Sequence, residues 1–297
     1  MHRLQAEERS DYLLGRPKAP KLFSTIGGSA MIELPMPTLE MRDFDDIPVW
    51  TDEALFAACG VRVAFAGRTG GISAAPYDEL NLCGYVGDDP AAVAHNRARL
   101  LEVLGAAGFP LVAPRQIHGT EIIFADSGYP APAERHEAIE ADAVMVASSQ
   151  LAAQLSFADC LPLIVAAPNG AFAVVHAGWR GALAGIANKA ARALCAAVGC
   201  DAAQINAYIG PHIRSECFET SVEIASSFAQ EYGAEILVDA RHVDLAGVVS
   251  TDLVRVGVDA QRIADCRICT MCNSDEYFSY RASGGTCGRN AALAFRR

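Results

Sequence analysis

Positive charge is scarce in this chain. Lys and Arg total 24 against 35 Asp and Glu, which leaves a formal net charge of −11 and a pI near 5.1. Binding to a phosphate backbone relies on clustered basic side chains, so this deficit argues against a nucleic-acid binder. An apolar leader is also missing: the opening Met1-His2-Arg3-Leu4-Gln5-Ala6-Glu7-Glu8-Arg9 has charges where a secretory peptide needs an apolar stretch, and secretion is not expected. No membrane span is expected either. The longest uncharged stretch, Leu161 to Trp179, is broken by Pro162, Pro168, Asn169 and Gly170 into pieces too short to cross a bilayer. The chain has no internal repeat and no glycine-rich nucleotide-binding signature.

What is present is enough apolar residue for a sizeable core. The 297 residues are 52% hydrophobic and 20% charged, which suits one large domain or two small ones. Ten cysteines without a secretory leader read as reduced thiols or metal ligands rather than a disulfide framework, which points to the cytoplasm. Cys59, Cys83, Cys195 and Cys200 stand among Ala, Val or Gly and read as small buried residues. Residues 1–45 mix Pro17, Pro20, Pro35 and Pro37 without a sustained period, which predicts a poorly ordered extension or a draped arm ahead of a single domain at 46–297.

From Val61 the pattern turns into short apolar runs separated by turn residues. Val61–Phe65, Ala143–Val146, Leu161–Ala166, Ala207–Ile209 and Ile263–Ile268 read as strands. Asp89 caps a predicted helix over Ala91–Gly105, and further helices are expected over Gly181–Val198, Phe218–Tyr232 and Leu245–Val256. Pro168-Asn169-Gly170 between two apolar runs is a strong hairpin signal. It pairs Leu161–Ala166 with Ala171–His176, so Cys160 and His176 should meet at the open end of the hairpin, opposite the turn.

Three blocks carry the chemistry: Gln116-Ile117-His118-Gly119, Ala158-Asp159-Cys160-Leu161-Pro162, and Val175-His176-Ala177-Gly178-Trp179-Arg180-Gly181. Taken singly, His118 is also readable as a loop or core histidine and Cys160 as a buried strand cysteine. Together, two imidazoles and a thiolate form a three-ligand zinc shell with one position open, and copper suits the same donors. Asp159 or a backbone carbonyl would hold an imidazole in the required tautomer. Gly178 and Gly181 would let the backbone approach a ligand, with Arg180 supplying charge to an anion. Arg68 and Arg281 are further anion-binding candidates, and Trp179, Phe278 and Tyr280 could wall an aromatic base. Cys266, Cys269 and Cys272 have the spacing C-x2-C-x2-C, with Cys287 beyond. This resembles an iron–sulfur run, but packed thiols are the expectation because no Pro follows and a strand there would point alternate side chains apart.

These blocks, with Ile209-Gly210-Pro211, Cys217-Phe218-Glu219, Cys269-Thr270 and Phe278-Ser279-Tyr280-Arg281, resemble the multicopper-oxidase-like laccase-domain family, also called the YfiH or purine nucleoside phosphorylase family. The match runs from about Phe65 to Arg289. The resemblance implies an α+β fold, a four-layer α/β/β/α sandwich with mixed sheets, and a catalytic zinc on His118, Cys160 and His176. It further implies phosphorolysis of adenosine, inosine and S-methyl-5′-thioadenosine, together with adenosine deamination, by a monomer or homodimer. His118 or Asp159 would move a proton, and Asn81, Gln116, Arg68, Arg180 and Arg281 are the substrate-binding candidates. The chain lacks the His-rich clusters of a true multicopper oxidase, so polyphenol oxidation is a minor alternative. Thr286-Cys287-Gly288-Arg289 departs from the family's Thr-Gly-Arg run and leaves Arg289 without an assigned role; His95 also falls outside the site. The rival from another class is a cysteine amidohydrolase with Cys160 as nucleophile, of the kind that would edit cell-wall precursors. A non-enzymatic nucleoside-binding module is the third reading.

Overall fold

The computed structural model describes residues 31–126 and 139–297. In chain order the strands are β1 (Glu40–Phe44), β2 (Ile47–Thr51), β3 (Val61–Ala66), β4 (Leu111–Val112), β5 (Ile122–Ala125), β6 (Ala143–Val146), β7 (Ala152–Phe157), β8 (Leu161–Ala166), β9 (Phe172–Ala177), β10 (Asn206–Ile209), β11 (Ile263–Asp265) and β12 (Asn290–Arg296). The helices are α1 (Glu53–Cys59), α2 (Pro90–Val103), α3 (Trp179–Leu183), α4 (Ile186–Val198), α5 (Val222–Tyr232) and α6 (Leu245–Val256). Two mixed sheets result, one in the order β1-β2-β3-β12-β7-β4 and the other β11-β10-β8-β9-β6-β5.

Side-chain alternation explains the layering. In β3, Val61, Val63 and Phe65 point into the core between the sheets, while Ala64 and Ala66 join the outer cluster formed with Leu100, Leu101 and Leu104 around α2. In β8, Ile164 and Ala166 enter the shared core, and Leu161, Leu163 and Val165 face a second cluster built from α3, α4, α5 and α6. Strands covered on both faces read as continuous apolar runs, which is why β3, β8 and β9 are so plain in the sequence. The α/β/β/α order expected from the family resemblance is the observed one.

The expected hairpin is present. β8 and β9 pair antiparallel from Leu161 opposite Ala177 to Ala166 opposite Phe172, and Pro162 lies opposite His176. Asp89 caps α2 by accepting the Ala91 N–H at 2.9 Å. The helix expected over Gly181–Val198 is two helices, because Gly185 adopts φ 73°, a left-handed conformation that ends one turn and begins the next. The expected helix from Phe218 begins instead at Val222, where the Ser221 hydroxyl caps it by accepting the Ile224 N–H. The strand expected to reach Ile268 ends at Asp265. Of the expected N-terminal extension, residues 1–30 lie outside the described residues, whereas Glu40–Phe44 forms the edge strand β1 against β2. Among the described residues, no helix is long and apolar enough to cross a membrane.

Candidate active site

One connection creates the site. β7 belongs to the first sheet and β8 to the second, so Ala158, Asp159 and Cys160 carry the chain across the end of the sandwich in three residues. Asp159 takes φ 83° to make this crossing, an unusual conformation for a residue other than glycine. Its carboxylate is held at both oxygens: the Thr270 hydroxyl donates to Oδ1 and the Arg281 backbone N–H to Oδ2, each at 2.7 Å. The crossing thereby presents the Cys160 thiol at the mouth between the sheets. His176 reaches the same place from β9, where it is 3% exposed.

His118 arrives on a separate loop that is organised by Asp142. The Asp142 carboxylate accepts the backbone N–H groups of Ile117, His118 and Gly119, at 3.2, 3.0 and 2.7 Å. Three converging donors bend the loop, and His118 sits at φ 61°. The same carboxylate lies 2.8 Å from Nδ1 of His176. Because Asp142 can only accept when ionised, Nδ1 carries a proton toward it, which leaves Nε2 of His176 facing the site. Burial disfavours charge on Asp142, yet His176 and the backbone N–H groups outweigh it and hold the carboxyl below the ordinary range. The imidazole-orienting role expected of Asp159 or a carbonyl therefore belongs to Asp142; Asp159 is committed to Thr270 and Arg281.

The ligand atoms of His118, Cys160 and His176 all lie within 4.8 Å of one another, with Cys160 Sγ 3.6 Å from His118 Nε2. The imidazole rings meet edge to face with centroids 4.9 Å apart. Burial resists ionisation of the Cys160 thiol, but the charge on His176 and hydrogen bonds from both histidines overcome it and bring the thiol down to about 6. Burial likewise opposes charge on His176, and the Cys160 thiolate with Asp142 raises it to about 9. A thiolate beside two imidazoles is a donor set that could hold a soft or borderline metal ion.

The trio opens into a cavity of about 430 Å³, a size that takes a nucleoside. Tyr85, Phe157, Trp179, Phe218 and Tyr280 supply aromatic wall, and Arg281 and Arg289 supply positive charge. Arg289 donates to the carbonyls of Cys287 and Gly288 at 2.7 and 3.0 Å, and Arg281 to that of Glu219 at 3.1 Å. Among the described residues neither guanidinium is paired with a carboxylate. Arg289, left unassigned on sequence because of the irregular Thr286–Arg289 run, is thus part of the cavity. The only sequence signal for it was its place just before the apolar run of β12.

The remaining candidates divide. Gln116 lines the cavity, but its amide donates to the Ser156 carbonyl at 2.6 Å and accepts the Ser156 N–H at 2.8 Å, pinning the His118 loop to β7. Arg68 lies outside the lining: it donates to the Asp78 and Ser274 carbonyls and to the Asp78 carboxylate, and stacks on Phe278 at 4.9 Å. Phe278 is buried beside Ala158 and Cys287 rather than in the wall. Asn81 is fully buried, and its side-chain Oδ1 accepts the Arg289 backbone N–H at 2.9 Å, so it supports the cavity from behind. Arg180 is exposed and stacks on Trp179 at 4.4 Å, turned away from the trio's cavity. The glycines expected to admit a ligand instead admit the protein itself. A side chain at Gly178 would collide with the His118 ring, and one at Gly181 would come within 2.7 Å of the Gly119 carbonyl oxygen.

Residues 62–297 match the family described as multi-copper polyphenol oxidoreductase laccase. The chain is 37% identical over 236 residues to the purine nucleoside phosphorylase ORF3 of Streptomyces griseus, covering 78% of this chain and 93% of that one. It is 32% identical over 232 residues to the adenosine deaminase RL5 of an unknown prokaryotic organism, covering 74% and 88%. Among solved structures, YlmD of Geobacillus stearothermophilus superposes with a TM-score of 0.78 at 26% identity, over 86% of this chain and 98% of that one. The YfiH protein of Bacillus licheniformis shares the fold, with a TM-score of 0.79 at 24% identity over 86% and 99%. A match that spans residues 62–297, the stretch that carries the His-Cys-His trio, makes the chain a member of the laccase-like YfiH family.

Proposed function

We propose that the protein is a zinc-dependent purine nucleoside phosphorylase that also deaminates adenosine, acting in the cytoplasm. The observation that carries this reading is the His118–Cys160–His176 trio at the floor of a nucleoside-sized cavity with two arginines in its wall. The names of the relatives supply the substrate class: purine nucleoside phosphorylase for one, adenosine deaminase for another. The trio fits zinc. Tetrahedral bonds of about 2.3 Å to sulfur and about 2.0 Å to nitrogen separate the two ligand atoms by about 3.5 Å, and Cys160 Sγ lies 3.6 Å from His118 Nε2. The Asp142–His176 contact also supplies the carboxylate support that zinc-binding imidazoles usually have.

Bound to these three residues, zinc would contribute Lewis acidity and an acidified water for attack at the purine C6. The chain's own groups account for the rest. The aromatic wall formed by Phe157, Trp179 and Tyr280 stacks the base, and Arg281 and Arg289 draw phosphate toward the sugar carbon. Phosphorolysis breaks the bond from C1′ to the base nitrogen and forms a bond from C1′ to a phosphate oxygen, with the electron pair leaving on the purine. Cavity groups that protonate or hydrogen-bond the departing base lower that barrier. Copper suits the donors too, but the described residues bring together only one group containing histidine, which argues against a multicopper centre.

A second reading is favoured by one observation: the Cys160 sulfur lies 3.6 Å from Nε2 of His118, and a thiol lowered by adjacent imidazoles is also a nucleophile, as in a cysteine amidohydrolase. Incubating adenosine with and without phosphate, and separating adenine, inosine and hypoxanthine by chromatography, tests the proposal. Adenine released only with phosphate is expected from phosphorolysis, and inosine formed without phosphate from deamination. If neither appears with metal-loaded protein, the nucleoside assignment is wrong.

A further inference from the structure

A second group of ligands lies on the loops beside the cavity. Cys217, Cys269, Cys272 and Glu216 place three sulfurs and a carboxylate within 4.8 Å of one another, and Cys217 Sγ is 3.4 Å from Cys272 Sγ. We infer that these four residues form a second, structural metal centre that takes zinc or a similarly thiophilic divalent ion.

Packing accounts for only part of the convergence. Cys269 belongs to the helix-side apolar cluster and Cys217 packs against it, but Cys272 is exposed, so burial does not explain why its sulfur sits 3.4 Å from that of Cys217. The local backbone instead arranges them as ligands. Cys269 and Cys272 flank a turn closed by the Asn273 N–H on the Cys269 carbonyl, which puts both sulfurs on one side. The facing loop is tied alongside by the His212 N–H on the Ile268 carbonyl and the Thr270 N–H on the His212 carbonyl. Within that loop the Cys217 N–H closes a turn on the Arg214 carbonyl, and the Arg214 N–H points at the Cys269 sulfur at 3.5 Å. Three thiolates in one place repel, and a dication relieves that repulsion.

The donor set selects the ion. Three soft sulfurs and one oxygen, four ligands in all, match a closed tetrahedral site rather than the open three-ligand shell at His118. An iron–sulfur cluster would need a fourth cysteine. Cys266, which completes the C-x2-C-x2-C spacing in sequence, lies outside the group, as does Cys287, which packs against Ala158 and Phe278. The centre would join two loops that bear on the cavity. Next to Cys217, Phe218 lines the wall, and Glu219 receives Arg281; next to Cys269, Thr270 holds Asp159. Zinc at this position would therefore brace the crossing that presents Cys160.

The test uses Cys160→Ala as background, so that the second centre is read without the first. Protein purified under reductant is loaded with zinc, freed of excess and measured for metal, and in parallel loaded with cobalt(II) and scanned for sulfur-to-cobalt charge-transfer absorption. The expected result is one zinc per chain and a thiolate charge-transfer band in Cys160→Ala. Both should be lost in Cys160→Ala/Cys272→Ser, a change at an exposed position that spares the fold. The inference is overturned if folded Cys160→Ala protein holds no zinc, or if its zinc and its band survive Cys272→Ser. Neither outcome depends on nucleoside chemistry, so the proposed enzymatic function stands or falls separately.

Discussion

Cys160→Ala is expected to lower kcat/KM for adenosine by about 10³-fold and to remove one zinc per chain, while the protein stays folded. The magnitude follows from the several kcal/mol that a metal Lewis acid contributes to a developing negative charge, at about 1.4 kcal/mol for each factor of ten. The fold should tolerate the change because Cys160 ends a three-residue crossing and is not part of the buried clusters of either sheet. Loss of activity alone would not distinguish a metal ligand from a nucleophile. The separating readout is metal content: as a ligand, Cys160 takes its zinc with it when replaced, whereas a nucleophile leaves metal content unchanged. Atomic spectroscopy on the variant and the parent, with circular dichroism to check folding, makes the comparison.

The second large effect is expected at Asp142, which touches no substrate and acts as a positioning residue. Its carboxylate accepts three backbone N–H groups from the His118 loop and the Nδ1 proton of His176, so it holds two of the three ligands at once. Asp142→Ala leaves those donors buried without an acceptor, a loss of about 3–5 kcal/mol. The corresponding fall in Tm is roughly 10 °C for a chain of this size. Zinc affinity should fall by about 10–100-fold, as happens when the groups behind metal-bound histidines are removed. Asp142→Asn separates the two effects. It keeps the volume, but its NH₂ must face either the imidazole or the loop donors, so metal binding should weaken with a smaller loss of Tm. A purely structural Asp142 would lower Tm and leave the zinc affinity of the folded protein unchanged, which competition against a chromophoric chelator would detect.

The parts of this site that were legible in the sequence are those set by local pattern. The Asn169-Gly170 turn between two apolar runs fixes the β8–β9 register, and that register alone brings Cys160 and His176 together. His118 has no such local tie: it joins them through a loop folded on Asp142, a residue 24 positions further on, and donor chemistry with the family resemblance, not spacing, placed it in the trio. Asp142 itself stands directly before the apolar run of β6. What the sequence does not reveal is that the connection after β7 crosses between sheets. This crossing directs the Asp159 carboxylate toward Thr270 and Arg281, leaving the imidazole to Asp142. The glycines misled for a related reason. Gly178 and Gly181 do permit close approach, but to His118 and Gly119 of the neighbouring loop, a contact between segments some 60 residues apart. Arg68 and Arg180 illustrate the limit of reading a guanidinium from its neighbours, since the first is taken up by Asp78 and Ser274 and the second faces outward on Trp179. Cys269 and Cys272 read in the sequence as packed thiols along with Cys266 and Cys287; the exposure of Cys272 and the approach of Cys217 to the pair are tertiary facts that spacing cannot supply.

Metal dependence of the wild-type activity tests the central claim most directly. Protein stripped with a strong chelator under reducing conditions is assayed for phosphate-dependent release of adenine from adenosine, before and after zinc is restored, with chelated protein treated with iodoacetamide as the comparison. A catalytic zinc on His118, Cys160 and His176 predicts that stripping abolishes base release and that added zinc restores it. Full activity in stripped protein, lost only on alkylation, would contradict the account and leave Cys160 as a metal-free nucleophile.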